Sequence, residues 1–157
     1  MTIAVREKRP DDQAWIEALL IERWGTTTIV SNGNLFDAAA LPALVAGDRE
    51  GLATYALEPG GVAELVSLDA RTPRGGAGTA LIDALAAVLR ARGVRTLRLT
   101  TSNDNIDALR FYQRRGFRLT AIRPGGLDEA RALKPSIPHA GHYGIPLHDE
   151  IELRLEL

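Results

Sequence analysis

Asn105-Ile106-Asp107-Ala108-Leu109-Arg110-Phe111-Tyr112-Gln113-Arg114-Arg115-Gly116-Phe117 is the stretch on which the reading of this chain turns. Asn103 or Asp104 can cap a helix through it, and Arg114-Arg115-Gly116 supplies the cations and glycine that suit a helix C-terminus. Val94 to Thr101 before it is rich in β-branched residues, and Phe117 to Ile122 after it reads as a strand. The stretch is therefore the helix of a strand-helix-strand unit.

One element upstream lies Arg74-Gly75-Gly76-Ala77-Gly78-Thr79, between a strand at Val62 to Asp69 and a helix at Gly78 to Arg92. Leu81, Ile82, Leu85, Val88 and Leu89 fall at helical spacing, and Gly93 occupies a left-handed C-cap. Such a turn is a device for anions, because glycines let the backbone approach and the first helix amides point outward at the positive end of the dipole. A dinucleotide fingerprint would need a third glycine where Leu81 stands, and a P-loop would need a lysine before Thr79. A tight turn with no ligand is the alternative on the turn alone.

Working outward, Thr2 to Arg6 reads as a strand, and Asp11 or Asp12 opens a helix to about Arg23 with Trp15, Ile16, Leu19 and Leu20 on one face. The chain from Trp24 to Ala40 is mixed, with Ser31-Asn32-Gly33-Asn34 as a turn. Ala43 to Ala46 and Leu52 to Leu57 are strands around a Gly47 to Gly51 hairpin. After Phe117 to Ile122 come a Pro, Gly and His-rich loop with a short helix at Leu127 to Leu133, and a closing strand at Asp149 to Leu157. No repeat or linker divides residues 1–157, which read as one domain.

Bulk properties exclude several classes. The 19 basic and 20 acidic side chains give a net charge of −1, no footprint for nucleic acid. With no cysteine there is no disulfide, thiolate metal site or cysteine nucleophile. No apolar run approaches the roughly 20 residues of a membrane span, and Met1 to Asp12 carries charge where a signal peptide would be apolar, so a cytoplasmic location is expected.

The helix stretch and the glycine turn together resemble the GNAT superfamily of N-acetyltransferases. Its Asn-x-x-Ala-x-x-Phe-Tyr-x-x-x-Gly-Phe pattern is matched at every fixed position from Asn105 to Phe117, and its glycine motif is similar to Arg74 to Thr79. One departure is Pro73, where family members commonly carry Arg or Gln. The resemblance implies an α/β (α+β) fold, with a mixed, mostly antiparallel sheet flanked by helices in the order β-α-(α)-β-β-β-α-β-α-β-β. It also implies acetyl-CoA as co-substrate, its pyrophosphate cradled by Arg74, Gly75, Gly76, Ala77, Gly78 and Thr79.

The same resemblance assigns the chemistry. Tyr112 lies near the coenzyme sulfur and protonates the leaving thiolate, while Phe111 takes the core position. Asn105 holds the pantetheine arm or the substrate side of the cleft, or else only starts the helix. Leu68 N–H binds the coenzyme and serves as oxyanion donor, with Ser67 and Asp69 as neighbours of interest. Glu64 is the general base that frees the amine, or else a solvent-facing strand carboxylate. The expected reaction is direct acetyl transfer to a primary amine of a small molecule, in a ternary complex. The alternatives are a non-catalytic acyl-CoA-binding module and a protein acetyltransferase. A homodimer is left open. His139, His142 and His148 sit in a loop without metal-ligand spacing, so no metal is expected; that loop, Trp24 and the turn around Ser31 are expected to shape the acceptor site.

Overall fold

A computed structural model describes residues 2–157. In chain order the elements are β1 (Val5–Glu7), α1 (Gln13–Trp24), β2 (Thr28–Ser31), β3 (Asn34–Asp37), β4 (Ala43–Ala46), β5 (Gly51–Glu58), β6 (Val62–Ala70), α2 (Ala77–Ala91), β7 (Thr96–Ser102), α3 (Ile106–Arg114), β8 (Arg118–Arg123), α4 (Gly126–Leu133) and β9 (Glu150–Glu156). Seven strands form a mostly antiparallel sheet in the order β1-β4-β5-β6-β7-β9-β8, and β2 pairs with β3 in a second, two-stranded sheet. The helix held optional in the expected order is replaced by that hairpin and a 3-10 turn at Ala38–Ala40. Asn32 and Gly33, at φ 51° and 76°, form its two-residue turn, as the primed hairpin types require. The chain clusters into two compact units, residues 2–29, 37–97 and 157 in one and residues 30–36 and 98–156 in the other.

The first unit is built on the β1-β4-β5-β6 meander. All four β4 residues are buried, as their unbroken apolar run requires of a strand covered on both faces. From α2, Leu81, Ile82, Leu85, Ala86 and Leu89 are buried, one apolar stripe of an amphipathic helix. From α1 the buried residues are Ile16, Leu19 and Leu20. Each fully buried leucine or isoleucine contributes about 1.5–3 kcal/mol. Gly93 sits at φ 78°, and Val94 N–H donates to Leu89 O at 3.0 Å while Gly93 N–H donates to Arg90 O, so α2 ends in the left-handed cap expected of it. Asp12, one of the two residues expected to open α1, stands at its N-cap but makes no side-chain cap bond to that helix. It is fully buried instead and accepts from Arg6 at 2.7 and 3.0 Å, Arg49 at 3.1 Å and the Arg9 amide at 2.8 Å.

In the second unit, β8 pairs antiparallel with β9, with a register shift between Leu119 and Ala121. Leu99, Phe117, Leu147 and Leu153 are its large buried apolar residues. Phe111, expected in the core, is only half-buried: α3 buries none of its residues, and the Arg115 guanidinium lies 3.6 Å from the Phe111 ring centroid. Glu150, nearly buried, accepts from Arg123 at 2.8 Å and from the Asn32 amide at 3.2 Å, which ties the β2–β3 turn to β9.

Candidate active site

The residues expected to act fall on two segments, one in each unit. Glu64, Leu68 and the Arg74–Thr79 turn lie on the first unit's β6-turn-α2 segment, and Asn105 and Tyr112 lie on α3 of the second.

Strand β6 is not regular. Its partners on β5 run Asp69 with Leu52, Leu68 with Ala53 and Ser67 with Thr54, then jump to Leu65 with Tyr55 and Glu64 with Ala56. Val66 is thus an extra residue, a bulge of the kind that re-aims side chains beside active sites. Cross-strand partners share a face, and Leu52, Thr54 and Ala56 alternate along β5, so Asp69, Ser67 and Glu64 all lie on one face of the sheet. The hydroxyls of Thr54 and Ser67 meet on that face at 2.6 Å. Glu64 is 0% exposed. The solvent-facing alternative for this carboxylate is therefore ruled out: both faces of β6 are buried here, and the bulge decides which of them Glu64 takes.

The same register orients the Leu68 amide. Arg71 N–H donates to Glu50 O at 2.9 Å, and Tyr55 N–H donates to Pro42 O on the other side of β5 at 3.0 Å. Alternate residues of an antiparallel strand bond opposite neighbours, so Leu68 N–H is directed to the edge of β6 away from β5. That is the side on which β7 follows in the strand order.

Beyond β6 the turn is open to solvent from Arg71 to Gly76. Arg74 at φ 61° and Gly76 at φ 89° are left-handed, and Gly76 stands at the N-cap of α2 without a side chain to satisfy the first-turn amides. Ala80 N–H, bonded to Gly76 O at 3.0 Å, is the first amide to enter the helical ladder. A non-glycine residue pays strain to be left-handed. Arg74 sets a cation beside the positive end of a helix dipole, an arrangement that becomes favourable around an anion. The turn thus fits a phosphate-bearing group on its own geometry. Pro73 is exposed and does not enter α2.

On α3, Asn105 is the N-cap: its Oδ1 accepts from Ala108 N–H at 3.2 Å. Neither Asn103 nor Asp104 caps the helix, because both are engaged elsewhere. Asn103 Oδ1 accepts the His148 and Asp149 amides at 3.1 and 3.0 Å, and its Nδ2 donates to Pro146 O at 2.9 Å. Asp104 is buried and accepts from Ser102 Oγ and from the His142 amide at 2.8 Å, with His142 Nδ1 at 3.1 Å. These bonds hold its carboxyl below the usual range against the opposing effect of burial, which is the largest single influence on it. A Cβ on Gly141 would stand 2.5 Å from Asp104 Oδ2, so the close approach of this loop requires glycine there. Tyr112 is half-buried, its ring edge-on to Phe111 at 5.2 Å and to Phe117 at 5.3 Å. Stacking on the Phe117 core fixes the phenol's direction.

The three histidines do not converge. His142 is held by Asp104, His148 Nδ1 lies 3.3 Å from Asp128, and among the described residues no three metal-ligating side chains gather. Near β6 the structure adds a contact that sequence reading missed. The Trp24 indole Nε1–H donates to Asp69 Oδ2 at 3.0 Å, and Arg23 donates to Ala70 O at 3.2 Å.

A profile of the Acetyltransferase (GNAT) family matches residues 36–117, more than half of the chain, across β6, the glycine turn, α2 and α3. The chain belongs to that family. The acetyltransferase is 34% identical over 146 residues to the Bacillus subtilis protein YxbD, covering 90% of this chain and 91% of that protein. Among solved structures it shares the fold of a Bacillus cereus IAA acetyltransferase, at TM-score 0.73 and 21% identity, covering 98% of this chain and 100% of that one. A Bacillus subtilis acetyltransferase in complex with CoA is similar at TM-score 0.69 and 20% identity, covering 99% and 98%. No helix among the acetyltransferase's described residues is long and apolar enough to cross a membrane.

Proposed function

We propose that this acetyltransferase moves the acetyl group of acetyl-CoA to a primary amine of a small molecule, by direct attack of the amine. The observation that supports this best is the β6-turn-α2 segment. A bulged strand with a buried carboxylate and an amide directed away from β5 runs straight into a helix N-terminus with no side-chain cap. In this reading Arg74, Gly75, Gly76, Ala77, Gly78 and Thr79 hold the pyrophosphate, and Asn105 donates to the pantetheine arm. Coenzyme A, when bound, supplies the activated acetyl group.

The chain's own residues then divide the proton and charge movements. Glu64 accepts the proton that an alkylammonium must lose before its nitrogen can bond to the carbonyl carbon. Leu68 N–H donates to the carbonyl oxygen as negative charge builds on it. Tyr112 passes its phenol proton to the departing sulfur as the carbon–sulfur bond breaks, a transfer that helps only if it accompanies bond breaking, since the thiol is the stronger acid. The chain has no cysteine, which supports transfer without a thioester on the enzyme. Incubation with acetyl-CoA and a panel of small amines, following free thiol and the product mass, tests the proposal. An N-acetylated product is expected; an acetylated serine peptide of the enzyme in place of it would overturn direct attack.

A further inference from the structure

Asp69 follows the proposed oxyanion donor Leu68 by one residue and shares a sheet face with Glu64. It is half-buried near the end of β6, where the exposed Trp24 indole donates to it at 3.0 Å. Trp24 is the last residue of α1. Gly25 after it is left-handed at φ 81° and returns its amide to Ile21 O at 2.9 Å, so the helix stops at the residue whose indole meets Asp69. The groups around Asp69 are Arg23 and Trp24 from α1, Ser67 from β6, and Leu52 and Thr54 from β5; Glu64 lies farther along the same face, about 13 Å away by strand rise. A carboxylate set half out of water and oriented by a neutral indole donor is a seat for a cation.

We propose that Asp69, oriented by Trp24, is the anionic seat of the acyl acceptor, so that this enzyme selects alkylammonium acceptors over aromatic amines that are neutral at pH 7. The inference rests on the N-acyltransfer reading above. It gives Asp69 a task distinct from that of Glu64: Asp69 holds the ammonium, and Glu64, four β5 positions or about 13 Å along the same face, takes the proton through water and not by contact. Burial raises the Asp69 pKa, while the Trp24 hydrogen bond and the Arg23 charge oppose the rise. Acceptor binding should therefore fail on the acid side. Replacing Trp24 with Phe removes a donor that favours the ionised form, and so should move that acid limb to higher pH.

The test uses the CoA-loaded protein, propylamine and aniline as probes, and the two indole N–H resonances, with Trp24 assigned through Trp24→Phe. Propylammonium should move the Trp24 signal in the parent chain, aniline should not, and Asp69→Asn should abolish the response. In the thiol-release assay Asp69→Asn should raise KM for propylamine about tenfold or more, as loss of a charged hydrogen bond does, leaving KM for aniline and CoA affinity unchanged. An unmoved Trp24 signal, or equal KM in Asp69→Asn, overturns the seat. Movement of that signal with no thiol released from any amine keeps the seat and overturns the N-acyltransfer reading instead.

Discussion

Replacing Asn105 separates two tasks that one side chain can perform. Its Oδ1 caps α3 by accepting from Ala108 N–H at 3.2 Å, and the proposed coenzyme contact uses the amide nitrogen of the same group. The helix is nine residues long and buries none of them, so it depends on its cap more than a well-packed helix would. Loss of an N-cap to alanine costs about 1 kcal/mol. For a domain of this size that lowers Tm by about 2–4 °C. Serine at 105 still caps and should hold Tm within about 1 °C, but it cannot reach with an amide nitrogen. A neutral hydrogen bond contributes about 0.5–1.5 kcal/mol, so its loss should weaken CoA binding about 2- to 13-fold in both Asn105→Ala and Asn105→Ser. Thermal unfolding by circular dichroism and CoA titration calorimetry read the two effects separately. Parental CoA affinity in Asn105→Ser would show that the residue is a cap alone. An unchanged Tm in Asn105→Ala would refute the dependence of α3 on it.

Gly78→Asp should abolish CoA binding by calorimetry while Tm holds or rises, because a carboxylate in the first turn favours the helix dipole and repels phosphate; retained affinity would mean the pyrophosphate lies elsewhere. Tyr112→Phe keeps the ring contacts and removes the proton, so turnover should fall about 100-fold with CoA affinity unchanged, and equal turnover would remove Tyr112 from the chemistry. Hydrogen bonds from Arg6 hold the Asp12 carboxyl well below the usual carboxylate range, against the effect of burial and with help from Arg9 and Arg49. A depressed folded-state pKa adds stability that is full above the unfolded value near ~3.9 and is lost as pH falls toward the folded one. Asp12→Asn should therefore cost about 1–2 kcal/mol at pH 7, discounted because Arg6 and Arg49 reach solvent, and urea midpoints of the two proteins should converge below pH ~4.

The elements that carry strong local signals are legible in the sequence. The apolar stripe of α2 and the unbroken run of β4 reappear at nearly their expected bounds. The β2–β3 strands were not, although their Asn32-Gly33 turn was, because Asn34-Leu35-Phe36-Asp37 shows no alternation and buries no residue fully. The α3 cap was ambiguous for another reason. Asn103, Asp104 and Asn105 are all competent caps, and the choice is made by bonds from Asn103 and Asp104 to residues 38 to 46 positions away. Much of the Pro, Gly and His-rich loop before β9 is held by those bonds, by Arg131 bonding Ile137 O and Pro138 O, and by Glu150 with Arg123.

The orientation of the candidate base was beyond sequence reading altogether, and it decides the chemistry. In a regular strand Glu64 would share a face with Leu68, four residues on, and oppose Asp69. One extra residue at Val66 reverses that parity, and a single slip of register moves every earlier side chain to the other face. Nothing in Ala63-Glu64-Leu65-Val66-Ser67 marks the bulge, since Leu65 and Val66 suit either arrangement. Yet the bulge puts Glu64, the Thr54–Ser67 hydroxyl pair and Asp69 in one polar row. Removing Val66 would restore a regular strand and turn Glu64 to the opposite face without changing a single candidate catalytic side chain.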